Sequence, residues 1–282
     1  MILIADSGST KTDWVLIDKN KNQQKFHTIG YNPYFIDTEN IYYSLSENLI
    51  PGFDANEVKQ VWFYGAGCST PEKNETVEKA LRRTFLNANE IFVGHDLLAS
   101  AIALLGDQPG FAAILGTGAN TCLYDGKNVT LNIDSLGYLL GDEGSGCFIG
   151  RKLVRDYMRK LMPQDLWDDF KVTYQMDNEQ IFDSLYHTMY PNRFLAGFAR
   201  FADKHKHTEY IRSKVRDSFN DFFKNLVSRY PDYKQHKLSC VGSIGFIFKD
   251  ILADTAEKWG MQTGKVIQSP IEGLVEYHLQ KI

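Results

Sequence analysis

Acids and hydroxyls cluster around glycines at several points in this chain. "IADSGSTKTDWVLID" sets Asp6, Ser7, Ser9, Thr10, Lys11, Thr12 and Asp13 around Gly8, between two apolar runs. "LGTGANT" carries Gly116, Thr117 and Gly118 in a similar setting, "GHDLLASA" puts Asp96 just ahead of a helical pattern, and "LLGDEGSG" flanks Asp142 and Glu143 with glycines. A carboxylate suits a hard cation such as Mg²⁺, which keeps several of its waters. Glycine lets backbone approach an anion closely, and amides and hydroxyls in a tight turn form a concave donor nest for phosphate.

Two familiar phosphate motifs are excluded. Lys11 and Thr12 lack the GxxxxGK[ST] spacing, because Gly8 lies three positions before Lys11. The following residues read as a strand, whereas a P-loop must open a helix. "LGTGANT" has no third glycine and also runs into a strand, so it is not a dinucleotide fingerprint. Each loop alone reads equally well as a plain hairpin turn. As a pair they read as two nests gripping a polyphosphate, with Gly8, Ser9, Thr10, Lys11 and Thr12 in one and Gly116, Thr117 and Gly118 in the other.

The elements that must hold these residues alternate. Residues 2–17 read as strand, tight turn, strand, and Gln23 to Ile29 as a third strand. Thr38 to Ile50 has helical spacing. Gln60 to Tyr64 is a strand entering Gly65-Ala66-Gly67-Cys68-Ser69, and a helix follows with Pro71 in its first turn, where a missing N–H is harmless. Strand, turn at Gly94-His95-Asp96 and helix come next. After Asp107-Gln108-Pro109-Gly110 the pattern restarts, and Gly8 and Gly118 fall at comparable places 110 residues apart. A helix-rich stretch, 164–230, is followed by a strand, a turn at Gly242-Ser243, a helix, a last strand and a last helix. Alternation of this kind predicts α/β architecture. The domains expected are 1–110 and 111–282, the second with a helical insertion, and the helix at about 270–282 packing back on the first.

The chain has 282 residues, 43% hydrophobic and 23% charged, enough for substantial cores. A net charge of -4 argues against a nucleic-acid-coating protein. Cys68, Cys122, Cys147 and Cys240 have no metal spacing and read as free thiols. His205 and His207 are interleaved with lysines and read as solvated surface. No basic leader or bilayer-length apolar run is seen, so the expectation is a cytoplasmic protein with no membrane or nucleic-acid partner. The oligomeric state is left open, a homodimer included.

In order along the chain, "ADSGSTKTDWVLID", "GYNPY", "GHDLLASA", "LGTGANT", "LLGDEGSG", "CVGSIG" and "SPIEGLVEY" resemble the actin-like ATPases, the superfamily of sugar kinases, actin and heat-shock cognate chaperones. Within it the chain looks most like N-acetylglucosamine kinases and the related ATPases that include activators of acyl-CoA reductases and dehydratases. The resemblance implies two duplicated ribonuclease H-like domains with a cleft between them, and ATP and Mg²⁺ as cofactors. It assigns Asp6 to Mg²⁺ through water, the two glycine loops to phosphate, and Gly242 and Ser243 to the nucleoside. Asn32, Asp96, Thr117, Gly118 and Asp142 fall to the sugar, with Asp96 as the base that takes the acceptor proton. Read from residue type alone, Asp96 is also a helix N-cap, though Ala99 denies it a capping-box partner. Asn32 is also a turn residue before Pro33, Asp142 also a helix-terminus acid, and Ser243 also a cap. The role of Glu143 is open.

The expected reaction is transfer of the ATP γ-phosphoryl group to the 6-hydroxyl of N-acetylglucosamine or a close amino sugar. The first loop reads DSGST where DGGGT is commoner in the family. The activators' paired cysteines for an iron–sulfur cluster are absent, as is the zinc-binding cysteine motif of another sugar-kinase branch. Two other classes stand beside this reading: a sugar-sensing module without turnover, and an ATPase that drives a partner protein.

Overall fold

Hydrophobic runs interrupted by glycine loops build two sheets in the computed structural model, which describes all residues except Ser9, Met189 and Ile282. In chain order come β1 (Ile2–Ser7), β2 (Lys11–Ile17), β3 (Gln23–Ile29), α1 (Thr38–Asn48), β4 (Gln60–Gly65), α2 (Pro71–Thr84), β5 (Glu90–His95) and α3 (Asp96–Leu105). Then follow β6 (Gly110–Leu115), β7 (Ala119–Tyr124), β8 (Val129–Asn132), α4 (Gly137–Leu140) and α5 (Gly146–Met158). A helical stretch holds α6 (Gln164–Tyr174), α7 (Asn178–Tyr186), α8 (Pro191–Gly197), α9 (Ala199–Lys204) and α10 (Glu209–Asn225). The chain ends with β9 (Lys237–Val241), α11 (Ser243–Ile247), α12 (Lys249–Lys258), β10 (Gln262–Ile267) and α13 (Ile271–Leu279).

The first sheet has the order β3-β2-β1-β4-β5 and the second β10-β9-β6-β7-β8. Read from its third strand, the second repeats the first: an antiparallel three-strand meander, then two parallel strands. The α/β duplication expected from the two glycine loops is therefore present. β8 is a strand that the sequence pattern does not reveal; "VTLN" is short and half polar. α1 stops at Asn48, short of the helical pattern ending at Ile50, because Ile50-Pro51-Gly52 winds into a 3₁₀ turn. Proline cannot supply the N–H that would continue the α-helix.

Contacts divide the chain into two units. One comprises Met1–Asp107, Gly126–Asn128 and Ser269–Ile282, the other Gln108–Asp125 and Val129–Gln268. In the first unit, Leu3, Ala5, Trp14, Leu16, Val61 and Phe63 form a core with Ile41 and Leu45 of α1 and Val77, Ala80 and Leu81 of α2. α13 and α3 belong to the same unit and pack closely: a Cβ on Gly273 would lie 2.7 Å from the Ala103 carbonyl oxygen. β1 is apolar on successive residues because helices cover both its faces. In the second unit, Phe219, Phe222 and Phe223 of α10 are fully buried with Phe111 and Leu115 of β6, as the helical period of those phenylalanines predicts.

Candidate functional site

In the first unit, register brings the acids to one edge. Ser7 lies opposite Gly65, and Gly65 opposite His95, so β1, β4 and β5 end level. The carboxyl ends of parallel strands are where α/β sheets place ligands. Asp6 precedes the first loop and Asp96 follows β5. Burial, then the nearby Asp96 and Asp13 charges, push the Asp6 pKa up to about 7. Burial likewise holds Asp96 above its ordinary value. The charge of Asp96 also helps raise the buried Cys68 thiol, burial being the larger cause, to about 12. Cys68 is thus held as a neutral thiol.

Two carboxylates disfavoured by burial, Asp6 also by the charge of Asp96, make a place where a cation is welcome. Among the described residues no group of three or more His, Cys, Asp or Glu could hold a metal ion. Asp6 and Asp96 fit the donor chemistry of Mg²⁺, which is held by one or two carboxylates and keeps most of its waters.

Asp96 is the first residue of α3, and the cap is His95: its Nδ1 accepts from the Leu98 amide at 3.1 Å. The Asp96 carboxylate is thus not used as the cap. The neutral acceptor form of His95 fits its pKa, lowered by burial.

The first loop divides its hydroxyls. Thr10 and Lys11 are exposed. Thr12 is fully buried, its hydroxyl 2.7 Å from Ser7 Oγ and donating to the Ile29 carbonyl at 2.8 Å. The Tyr31 amide donates to Ser7 Oγ at 3.0 Å. Ser7 and Thr12 therefore brace the hairpin from inside, and the Thr12 hydroxyl is already engaged within it. Ser9 lies outside the described residues. Asn32 sits beside the loop after β4: its Oδ1 accepts from the Tyr34 amide at 3.0 Å, and a Cβ on Gly67 would lie 2.3 Å from that oxygen.

The second unit gathers its own set. Gly116 and Thr117 give their carbonyls to the Gly146 and Cys147 amides at the start of α5, at 2.8 and 3.0 Å. Ser145 caps that helix, accepting from Phe148 at 3.1 Å, so Asp142 is not its cap. Asp142 instead accepts from the Ala119 amide at 3.0 Å through Oδ1 and lies against Gly118, with burial raising its pKa. Glu143 accepts from Asn225 at 2.8 Å and so ties the acidic loop to α10. Gly242, at φ 124°, caps α11 with no side-chain bond, and Ser243 is the first helical residue rather than its cap. A Cβ on Gly242 would lie 2.4 Å from the Leu115 carbonyl oxygen and 3.0 Å from the Gly116 amide nitrogen. The second glycine loop, Asp142 and Gly242 are thus neighbours.

One cluster escapes the sequence reading. Asp13 Oδ1 lies 3.0 Å from Lys11 Nζ and 2.6 Å from His27 Nδ1. The signal was available: Lys11 and Asp13 share one face of β2, but the pairing of Asp13 with His27 needs the β2–β3 register.

No protein-family model matches the chain, and a search of curated proteins returns no match. Solved structures do match. A "putative N-acetylglucosamine kinase" of Chromobacterium violaceum is 14% identical over 98% of both chains, with a TM-score of 0.74. A ROK family glucokinase of Streptomyces griseus, solved with glucose and AMPPNP, is 14% identical over 98% of this chain and 97% of its own, with a TM-score of 0.55. These two share the fold of this chain. A "putative N-acetylglucosamine kinase" of Porphyromonas gingivalis is 40% identical over 99% of both chains, with a TM-score of 0.95. The chain belongs to the family of that protein, a family of ATP-dependent sugar phosphotransferases.

Proposed function

We propose that the protein transfers the γ-phosphoryl group of ATP to the 6-hydroxyl of N-acetylglucosamine or a close amino sugar, with Asp96 as general base. The observation that carries this reading is the placing of Asp6 and Asp96 at one strand edge, near enough that the charge of one raises the pKa of the other. The acceptor assignment draws on the 40% identical relative.

Asp96, not used as a helix cap, would accept the proton of the sugar hydroxyl. The hydroxyl oxygen then bonds to the γ-phosphorus as the bond to the β-phosphate oxygen breaks, and ADP leaves. Phosphoryl transfer asks mainly for positioning and charge neutralisation. Asp6 would hold Mg²⁺ through water, and that ion supplies neutralisation of phosphate charge. Gly8, Thr10 and Lys11 are assigned to phosphate, as are Gly116, Thr117 and Gly118; Thr12 is kept as the brace of its hairpin. Gly242 and Ser243 are assigned to the nucleoside. Asn32 and Asp142 are assigned to sugar hydroxyl or N-acetyl groups, together with Thr117 and Gly118.

The test is ADP release over a panel of amino sugars. The reading expects release that depends on sugar and is fastest with N-acetylglucosamine. ADP release indifferent to every sugar would favour an ATPase coupled to a partner, and sugar binding without release a sensing module.

A further inference from the structure

We propose that Asp13, held by His27, is the positioning residue for Lys11, and that it sets the affinity for the nucleotide's phosphates. The inference rests on the assignment of Lys11 to phosphate made above.

Asp6 and Asp13 are directly paired across β1 and β2, and Asp13 and His27 across β2 and β3. Residues paired in this way present their side chains on the same face of the sheet. Lys11 lies two positions before Asp13 and so shares that face. The Lys11 side chain is 65% exposed, but the Asp13 side chain only 15%. A free lysine at a strand's start would sweep solvent. Here one oxygen, Asp13 Oδ1, receives both the Lys11 ammonium at 3.0 Å and the His27 ring N–H at 2.6 Å. The half-buried carboxylate is therefore the fixed point and the lysine its dependant. His27, its side chain 64% exposed, bonds that same oxygen along the row Asp6, Asp13, His27.

The tether draws the ammonium back over the face that carries Asp6, beside the first loop. An ammonium has three donors; Asp13 takes one and leaves two for phosphate oxygens. Much of the rotamer freedom that Lys11 would lose on gripping a phosphate is already lost in the ligand-free fold, which is how preorganisation raises affinity. Asp13 touches neither reacting atom in this account.

The experiment is a double-mutant cycle on Lys11→Ala and Asp13→Asn. It is read by titration calorimetry with AMPPNP and Mg²⁺, and by kcat and sugar KM in the ADP-release assay. Asp13→Asn should weaken AMPPNP about three- to tenfold, leave kcat at saturating ATP and sugar KM within about twofold, and leave Tm unchanged. In the Lys11→Ala background the same change should cause no further weakening, because a coupled pair is non-additive. Asp13→Glu should recover part of the loss, and His27→Ala should weaken AMPPNP in the same direction by less. Unchanged or tighter AMPPNP binding in Asp13→Asn, or additive losses in the double variant, overturns the proposal while leaving Lys11 on phosphate. If Lys11→Ala alone leaves AMPPNP affinity unchanged, the phosphate role of Lys11 falls, and the proposal falls with it.

Discussion

The two sheets share one strand order but arm their opening hairpins differently. The first places Asp6 opposite Asp13 beside its loop, and leaves Thr10 and Lys11 exposed at the tip. The second pairs Ala113 with Thr121 and Leu115 with Ala119, and carries no charge on either strand of its hairpin. Its loop is tied from behind by α5 amides and by Asp142, a residue that arrives from a separate segment. A duplicated frame has thus divided its work. One copy carries the buried Asp6 and Asp96, and the other presents backbone held in place by neighbours. Charge is built into the hairpin in the first case and imported in the second.

The comparison can be broken first at Gly242. Its φ of 124° and its approach to Leu115 leave no room for a Cβ. Gly242→Ala should destabilise by about 2–4 kcal/mol, combining backbone strain and overpacking. Denaturant unfolding checks this, and a loss below about 0.5 kcal/mol would mean that the loop is not fixed as described.

Asp142 sharpens the comparison next. Asp142→Ala leaves the buried Ala119 N–H without its acceptor and should lower stability by about 1–3 kcal/mol. Asp142→Asn keeps an acceptor oxygen and should keep most of that stability, so any rise it causes in sugar KM reports sugar contact. Equal stability losses in both variants would refute the tether.

The first unit has its own mark, in pH. His278 of α13 is 5% exposed, with Nε2 3.0 Å from the Tyr64 hydroxyl. Burial lowers its pKa from 6.5 to about 4. Between those values the unfolded chain binds a proton that the folded chain does not, so stability falls as pH drops from about 6.5 to about 4. Urea unfolding at pH 7 and pH 5 should show this loss, and His278→Gln should make the loss smaller. A slope unchanged by the substitution would place the acid sensitivity elsewhere.

The smallest effect belongs to Gly116. A Cβ there meets nothing within 4 Å. Gly116→Ala should shift stability by no more than about 0.5 kcal/mol. A clear loss of AMPPNP affinity with intact stability would then report close approach of a ligand to the loop, and unchanged affinity would remove Gly116 from the phosphate site.

Much of this division was legible in the residues. Glycine loops between apolar runs announced both hairpins, and strand–turn–helix patterns placed Asp96 and Gly242 at strand ends. What was not legible is which partner each group takes. Thr12 reads as a phosphate hydroxyl until Ile29 and Ser7 close around it. Asp96 reads as a cap until the His95 ring takes that task. The Asp13–His27 pair and the Asp142–Ala119 bond join segments whose register only the folded sheets define. Local pattern reveals which groups are present, but tertiary pairing decides which are already occupied.

The most direct measurement of the central claim is turnover by Asp96→Asn, with N-acetylglucosamine binding measured alongside by calorimetry. A general base typically contributes 10²–10⁴-fold. The account predicts an ADP-release rate at least about a hundredfold below that of the unchanged protein, with sugar affinity kept within a few-fold. A variant that turns over at the original rate would contradict it.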